Sequence, residues 1–115
     1  MRVVLASASP RRRELLSLVL ETFECLSADI DETPFAEEIP EQYVLRMASE
    51  KAKAVDTTAA IVIGSDTAVV LAGTILQKPT SIQEARGMLT ALSGQTHEVL
   101  TAVAIMMDGN VSTAL

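Results

Sequence analysis

A serine- and arginine-rich turn near the amino terminus has the composition of an anion-binding site. The apolar run of residues 3–6 leads into Ser-Ala-Ser-Pro and then into three consecutive arginines, residues 11–13. Ser9 is typical of a helix N-cap and Pro10 of the first helical position, so the arginines fall in the first turn. Cations are unfavourable there, because a helix N-terminus already carries partial positive charge. The turn is therefore either a solvated basic surface or a site where hydroxyls, backbone N–H groups and guanidinium groups bind a phosphate.

The acidic segment Asp29-Ile30-Asp31-Glu32 is a second candidate. Three carboxylates in four residues repel one another unless they are solvated, paired or bound to a cation. The segment is thus either an ordinary solvated loop or a source of hard oxygen ligands, which Mg²⁺ prefers.

Two further charged residues interrupt apolar patterns. Asp66 lies between the apolar strand segments 60–64 and 68–71, where burying a carboxylate is costly. It is either a strand-end residue that caps the local backbone or a site carboxylate beside water or a metal. Lys51 lies on or beside the apolar stripe of a helix predicted for residues 41–55. Its ammonium group either reaches solvent from the edge of the stripe or points into a site that needs a cation.

Composition restricts the class of protein. A length of 115 residues suggests one domain or part of one, and 49% apolar with 21% charged residues indicates a globular chain. The net charge of −6 argues against a general binder of nucleic acids or anionic membranes, and no apolar stretch is long enough to predict a transmembrane helix. Cys25 is the only cysteine, so an intrachain disulfide is excluded and a reducing compartment, the cytoplasm, is expected.

The elements that must position these residues alternate in type. Periodicity and turn signals predict the order β–α–β–α–β–β–α–β–β, an α/β chain. Ser81-x-x-Glu84 is a capping box, and Asp108-Gly109 is a strong hairpin signal. Apolar spacing predicts one buried face on the first helix and one on the third. The residues on these faces are Leu15, Leu16, Val19 and Leu20 in the first, and Ile82, Ala85, Met88, Leu89 and Leu92 in the third.

Together these segments resemble the Maf family of nucleoside triphosphate pyrophosphatases, first described as septum-formation inhibitors. Six motifs occur in the family's order. They are Ser7-Ala8-Ser9-Pro10-Arg11-Arg12, Asp29-Ile30-Asp31-Glu32, Lys51-Ala52, Gly64-Ser65-Asp66-Thr67, Lys78-Pro79 and Leu92-Ser93-Gly94-Gln95-Thr96-His97. The Asp66-Thr67 pair and residues 93–97 are most similar to the branch that acts on dTTP and UTP, whereas the branch that acts on methylated GTP usually has Asp-Gln at the first of these places.

The resemblance implies a fold, a site and a cofactor. The implied fold is α/β, with a mixed twisted sheet, flanking helices and a cleft, as in Maf and inosine-triphosphatase-like proteins, in a single domain over residues 1–115 that usually forms a homodimer. The implied cofactor is Mg²⁺ or Mn²⁺, held by Glu32 and Asp66. The implied roles are triphosphate binding for Ser7, Arg12, Lys51 and Lys78, acid/base catalysis for Asp66, metal or water binding for Glu32, and base specificity for Arg11 and Thr67. Arg13 lies at a variable position and receives no role.

The chain departs from the family in length. Family members are nearly twice as long, and their C-terminal half carries a Lys-Ala-Gly-x-Tyr-x-x-Gln-Gly type motif that does not occur here. The sequence therefore predicts a Maf-like domain without its C-terminal part, with hydrolysis of dTTP or UTP to the monophosphate and pyrophosphate as the leading function. The alternatives are a nucleotide-binding regulator of septum formation without turnover, and a module that docks an acidic partner through residues 11–13.

Overall fold

The computed structural model describes residues 2–55, 60–76, 81–94, 97–107 and 109–115. Its elements follow the predicted order and confirm a mixed α/β fold with flanking helices. In chain order they are β1 (Arg2–Leu5), α1 (Pro10–Ser17), β2 (Glu24–Cys25), α2 (Pro40–Ala54), β3 (Ala60–Leu71), β4 (Thr74–Leu76), α3 (Ile82–Leu92), β5 (His97–Met107) and β6 (Asn110–Ala114).

Strand β3 is the centre of a single mixed sheet. The strand order is β2-β1-β3-β5-β6, and β4 also pairs with β3. β1 runs parallel to β2 and β3, and the other pairs are antiparallel. β5 pairs along residues 62–71 of β3, so β1, at residues 60–63, and β4, at residues 69–71, share the opposite edge. In the described part of the chain, no strand pairs with residues 64–68 on that edge.

The core lies between α2 and one face of the sheet. Even-numbered residues of β3 and β5 point towards α2, among them Val62 and Ala104, which are almost fully buried. Gly64 permits the closest approach, because a Cβ atom there would lie 2.2 Å from the carbonyl oxygen of Ala48 and 2.8 Å from the backbone nitrogen of Ala52. The absence of a side chain at Gly64 therefore lets α2 pack directly on the backbone of β3. The apolar stripe predicted for this helix is confirmed.

The prediction that α1 has a buried face was wrong. The helix ends at Ser17 and has no buried residue. Leu15 is 52% exposed and Val19 is 78% exposed, while Leu16 and Leu20 are half-buried. An apolar stripe identifies a face that can be buried, but nothing in the described part of the chain covers this one.

The same correction applies to α3, whose Ile82 and Leu89 are 73% and 69% exposed. Ala85 and Met88 are half-buried. Since the sheet face opposite α2 is also uncovered in the described structure, the molecule has one packed layer and one open layer.

Several local predictions hold. Ser9 Oγ accepts a hydrogen bond from the Arg12 N–H at 3.3 Å, and Ser81 Oγ accepts one from the Glu84 N–H at 3.1 Å, so both N-caps are confirmed. The β5–β6 hairpin is confirmed. The sequence pattern of residues 22–29 predicts a longer second strand with Cys25 as a buried residue. Only Glu24 and Cys25 pair with β1, and Cys25 is half-buried. In the described ranges, no helix is long and apolar enough to cross a membrane.

Candidate functional site

The unpaired edge of β3 brings Asp66 against Lys51 of α2. Asp66 is an even-numbered residue of β3, so its side chain points towards α2. Lys51 Nζ donates a hydrogen bond to Asp66 Oδ1 at 3.0 Å, and the two side chains are only 8% and 7% exposed. Buried charges require partners, and here each residue provides the partner that the other needs. Lys51 thus does not extend to solvent, which was one of the two alternatives for this residue.

Glu32 completes a three-residue charge cluster. Its Oε1 lies 3.3 Å from Lys51 Nζ, and its side chain is 42% exposed. One ammonium group therefore contacts a buried carboxylate and a solvent-facing one. The hydroxyl of Tyr43 donates a 2.6 Å hydrogen bond to the backbone carbonyl of Glu32. Burial, with the negative charges of Asp66 and Glu32 as smaller causes, raises the pKa of Tyr43 to about 12.

A polar cavity of about 350 Å³ lies beside this cluster. The turn after β1 forms one wall, and Lys51 and Glu32 form another. The hydrogen bond from the Ala6 N–H to the Ile63 carbonyl, 2.8 Å, extends the β1–β3 pairing and fixes the start of the turn. Ser7 is buried. The polar residues that line the cavity are Ser7, Ser9, Arg12, Ser27, Glu32 and Lys51.

Asp66 itself lines a second, smaller cavity of about 200 Å³, together with Glu32, Tyr43 and Thr67. Because Glu32 lines both cavities, the turn that carries Ser7 and the edge that carries Asp66 belong to one continuous site. The site combines hydroxyl groups, an arginine, a lysine and two carboxylates.

An apolar groove of about 600 Å³ adjoins the site on the other face of the sheet. Thr67 follows Asp66 in the strand, so most of its contacts are with this opposite face. Arg12 Nη2 donates to Thr67 Oγ1 at 3.4 Å, and Thr67 Oγ1 also lies 3.2 Å from Thr101 Oγ1. Arg12 thus borders both the polar cavity and the groove. The other lining residues include Arg11, Leu5, Leu15, Leu16, Val19, Ile63, Val103 and Ile105.

The structure therefore divides the predicted site residues into two neighbouring groups. One group lines the polar cavities and consists of Ser7, Arg12, Glu32, Lys51 and Asp66. Arg11 and Thr67 line the groove, and both Arg12 and Thr67 also line a polar cavity. Lys78 lies outside the described residues, as do Gln95, Thr96 and Asp108.

Sequence reasoning missed the residues that hold the acidic segment in place. The i,i+4 spacing of Arg46 and Glu50 predicts a surface ion pair, which is present at 3.0 Å. However, Arg46 also donates to both carboxylate oxygens of Glu38, at 2.7 and 2.8 Å, and to the carbonyl of Thr33 at 3.1 Å. The hydrogen bonds from Arg46 hold the pKa of Glu38 below its usual range. Glu38 precedes the helix, so no helical spacing relates it to Arg46, and the sequence gave no signal for this contact.

The two carboxylates of the cluster are too few to form a complete metal site by themselves. Among the described residues, no group of three or more His, Cys, Asp and Glu side chains is arranged to hold a metal ion. Glu32 and Asp66 nevertheless offer hard oxygen donors within 3.3 Å of one cationic group. This donor set suits Mg²⁺, which usually keeps several waters and takes one or two carboxylates together with substrate phosphates.

Comparisons with known proteins identify relatives over the whole chain. A family model described as Maf-like protein matches residues 2–114. Proteins named dTTP/UTP pyrophosphatase from Anaeromyxobacter dehalogenans and Myxococcus xanthus are 54% identical over 109 residues and 52% identical over 105 residues. These alignments cover 95% and 90% of this chain but 55% and 54% of the relatives. The chain thus spans about half the length of the curated relatives that it matches.

Solved structures support the fold. The Staphylococcus aureus Ham1 protein superposes with a TM-score of 0.61 at 14% identity, covering 98% of this chain and 67% of that one. A nucleoside-triphosphatase, or dITP/XTP pyrophosphatase, from Mycobacterium abscessus gives a TM-score of 0.58 at 19% identity, covering 99% and 70%. At these identities the likeness concerns the fold, and it confirms the predicted class of mixed sheet with flanking helices.

Proposed function

Because the chain belongs to the Maf family, we propose that it carries the catalytic half of a nucleoside triphosphate pyrophosphatase that hydrolyses dTTP and UTP to the monophosphate and pyrophosphate. The observation that carries the proposal is the buried Lys51–Asp66 pair beside the polar cavity of Ser7 and Arg12. Relatives that are 54% and 52% identical to this chain are named dTTP/UTP pyrophosphatase, which supports the substrate class.

We expect the triphosphate to bind in the polar cavity. Arg12 and Lys51 line it and, with Lys78, would supply positive charge to the phosphates. The N-terminus of α1 adds the partial positive charge of its first turn. Ser7 Oγ accepts a hydrogen bond from the Ser9 N–H at 3.0 Å, which leaves its hydroxyl proton free to donate to a phosphate oxygen. These groups would bind the anion without any movement of the sheet.

The base would then occupy the part of the apolar groove that Arg11, Arg12 and Thr67 line. Its volume of about 600 Å³ lies within the usual range of ligand sites, about 300–1,000 Å³. Arg11 and Thr67 are the polar groups that would read the base, and Arg12 would lie at the junction of base and phosphates. The proposal for dTTP or UTP over methylated GTP rests on these two residues and on the relatives.

In the proposed reaction, Asp66 accepts a proton from a water that attacks the α-phosphorus, and pyrophosphate leaves. Lys51 orients the Asp66 carboxylate through their hydrogen bond and, with Arg12, stabilises negative charge on the phosphates. Mg²⁺ or Mn²⁺ held by Glu32 and Asp66, with phosphate oxygens and water, would neutralise part of that charge. Positioning and electrostatic stabilisation account for most of the rate increase in such reactions.

The remaining partner proposals follow from composition and family. We propose a homodimer that acts in the reducing cytoplasm, consistent with the single Cys25, and that binds neither nucleic acid nor membrane, consistent with a net charge of −6.

A pyrophosphate-release assay over a panel of nucleoside triphosphates, with Mg²⁺ present and a full-length relative as positive control, tests the function. We expect release from dTTP and UTP to exceed release from methylated GTP. Binding of dTTP without any turnover would instead favour the regulator without catalysis. Absence of both binding and turnover would contradict the proposal for this chain.

A further inference from the structure

We propose that Arg46 and Tyr43 are positioning residues, which fasten the acidic segment of residues 29–38 to α2 and so set Glu32 against Lys51 and Asp66. The catalytic consequence rests on the proposed function, whereas the fastening itself rests on contacts within the structure. Residues 26–39 form neither helix nor strand. Side-chain contacts must therefore determine where Glu32 lies.

Arg46 contacts the segment at three places. Its Nη2 donates to the Thr33 carbonyl at 3.1 Å, and its Nε and Nη2 donate to the Glu38 carboxylate at 2.7 and 2.8 Å. Its guanidinium carbon also lies 3.8 Å from the centroid of the Phe35 ring. A planar guanidinium group can make a bidentate bond and a ring contact together, which an ammonium group cannot.

The central ion pair is well shielded from water. The side chains of Arg46 and Glu38 are 18% and 7% exposed, so removal of Arg46 would leave a largely buried carboxylate without its main partner, which is strongly destabilising. Glu38 in turn orders the segment, because its Oε1 accepts the Phe35 N–H at 3.0 Å. The pair thus connects the fold of the segment to the helix.

Tyr43 provides the second attachment, directly at the functional residue. Its hydroxyl donates to the Glu32 carbonyl at 2.6 Å, and Arg46 binds the next carbonyl, that of Thr33. Two consecutive carbonyls are therefore held by side chains of α2, the helix that also carries Lys51. A single rigid element thus fixes both partners of the Lys51–Glu32 contact.

Loosening these contacts should move Glu32 away from Lys51 while Ser7 and Arg12 keep their places. We therefore expect kcat to fall and the Mg²⁺ concentration required for half-maximal turnover to rise about tenfold or more, the usual scale when the support of a metal ligand is removed. The KM for dTTP should change much less, because the residues proposed to bind the phosphates are not attached to the segment.

Hydrogen–deuterium exchange of the intact chain tests the fastening without any need for turnover. In Arg46→Ala and in Glu38→Gln, we expect amides of residues 29–38 to exchange roughly tenfold faster or more, as loss of a hydrogen bond to a charged group predicts. Glu50→Gln is the matched control, since Glu50 binds Arg46 from within α2. Arg2→Ala is a second control that breaks an arginine–carboxylate pair, with Glu24, elsewhere in the molecule. Both controls should leave the exchange of the segment unchanged.

A double-mutant comparison separates positioning from general stability. If Arg46 acts through Glu32, then Arg46→Ala should reduce kcat far less in a Glu32→Gln background than in the unsubstituted chain. Arg46→Lys should show the same raised Mg²⁺ requirement as Arg46→Ala. Lysine lacks the planar guanidinium group that binds Glu38 and Thr33 together.

The outcomes are distinct. Unchanged exchange of residues 29–38 in a folded Arg46→Ala variant overturns the proposal, as does faster exchange with unaltered kcat and metal requirement. If Arg46→Ala does not fold, the same measurements on Glu38→Gln decide whether the Arg46–Glu38 contact holds the segment. If the unsubstituted chain releases no pyrophosphate, the proposed function fails for this chain, and the exchange experiment alone decides whether Arg46 and Glu38 hold the segment.

Discussion

Asp66 owes its environment to a break in strand pairing. It lies in the part of β3 that β1 and β4 leave unpaired, and it is buried against Lys51. Its carboxylate lines a cavity of about 200 Å³ and is held by the hydrogen bond from Lys51. A fixed carboxylate beside a cavity has the geometry that the proposed role of general base requires.

The first prediction concerns Asp66→Asn. The change keeps the size of the side chain and removes the base, so we expect turnover to fall by about 10²-fold or more. Glu32 still contacts Lys51, so the fold should be retained, as circular dichroism would show. The measurement is pyrophosphate release with dTTP, in this chain and in a full-length relative. A variant with nearly normal kcat would remove Asp66 from its proposed role.

The second prediction compares two neighbouring arginines. Arg12 lines the polar cavity and contacts Thr67, whereas Arg13 is exposed. Arg12→Ala should raise KM and lower kcat together, and Arg13→Ala should change neither appreciably. The thermal unfolding temperature without ligand should be unchanged or slightly higher in both variants, because repulsion at the helix N-terminus decreases. Equal kinetic effects would indicate a diffuse basic patch rather than a defined phosphate site.

The third prediction uses Tyr43, the only tyrosine of the chain, which also has no tryptophan. Its pKa is raised to about 12 from a usual value of 10.0. Its tyrosinate absorbance should therefore appear with a midpoint well above pH 10. The folded state keeps this proton longer than the unfolded state, so stability should fall by about 1 kcal/mol per unit as pH rises from 10 towards 12. Tyr43→Phe should reduce that slope, and a midpoint near 10 would contradict the buried environment.

At the level of residues, the sequence indicated most of the residues that the structure brings together in the candidate site, but not the contacts between them. Lys51 on an apolar stripe and Asp66 within a strand were both visible as misplaced charges. The sequence did not show that Lys51 and Asp66 form an ion pair, because that contact depends on how α2 crosses β3. The attachment of Glu38 to Arg46 was also invisible, since a loop residue has no periodicity that relates it to a helix.

Among the elements, the contact between α2 and β3 determines whether the site exists. Gly64 lies two residues before Asp66, and its hydrogen-only side chain admits the backbone of Ala48 and Ala52. A larger residue would push α2 away from the strand and would separate Lys51 from Asp66. The geometry of the charge cluster thus depends on Gly64, which has no functional group of its own.

The fourth prediction follows from that contact. Gly64→Ala should destabilise the fold by about 1–3 kcal/mol, the usual cost of overpacking, and should lower turnover as well. Gly87→Ala is the matched control, because a Cβ atom there meets nothing within 4 Å. In the interior of α3 it should stabilise by about 0.5–1 kcal/mol. Urea unfolding measures both, and equal effects from the two substitutions would show that the α2–β3 approach is not tight.

The type of each element was easier to predict from the sequence than the residues that pack against it. Caps such as Ser81 and the β5–β6 hairpin depend on local chemistry, and both were confirmed. The apolar stripes of α1 and α3 predicted burial, but burial requires a covering element, which a local pattern cannot supply. The length of β2 also depends on its neighbour, since only Val4 and Leu5 of β1 pair with it.

On the scale of the whole molecule, one face of the sheet remains open in the described structure. Odd-numbered residues of β5 point away from α2, and Val99, Ile105 and Met107 are 59%, 44% and 46% exposed. Leu15 and Val19 of α1 border the same groove. Contiguous apolar surfaces of this kind usually mark an interface. Since the curated relatives are about twice as long as this chain, their additional residues or a second copy of the chain are the candidates to cover it.

The fifth prediction is that the 115-residue chain associates with itself through this face. We expect light scattering to show dimers or larger species, and an apolar dye to bind in the groove when the protein is diluted. Ile105→Lys places a charge in the middle of the face and should reduce both association and dye binding. Gln83→Lys adds the same charge at an exposed position of α3 and should change neither. A monodisperse monomer that binds no dye would show that the open face is tolerated in water, and that covering it is not what stabilises the sheet.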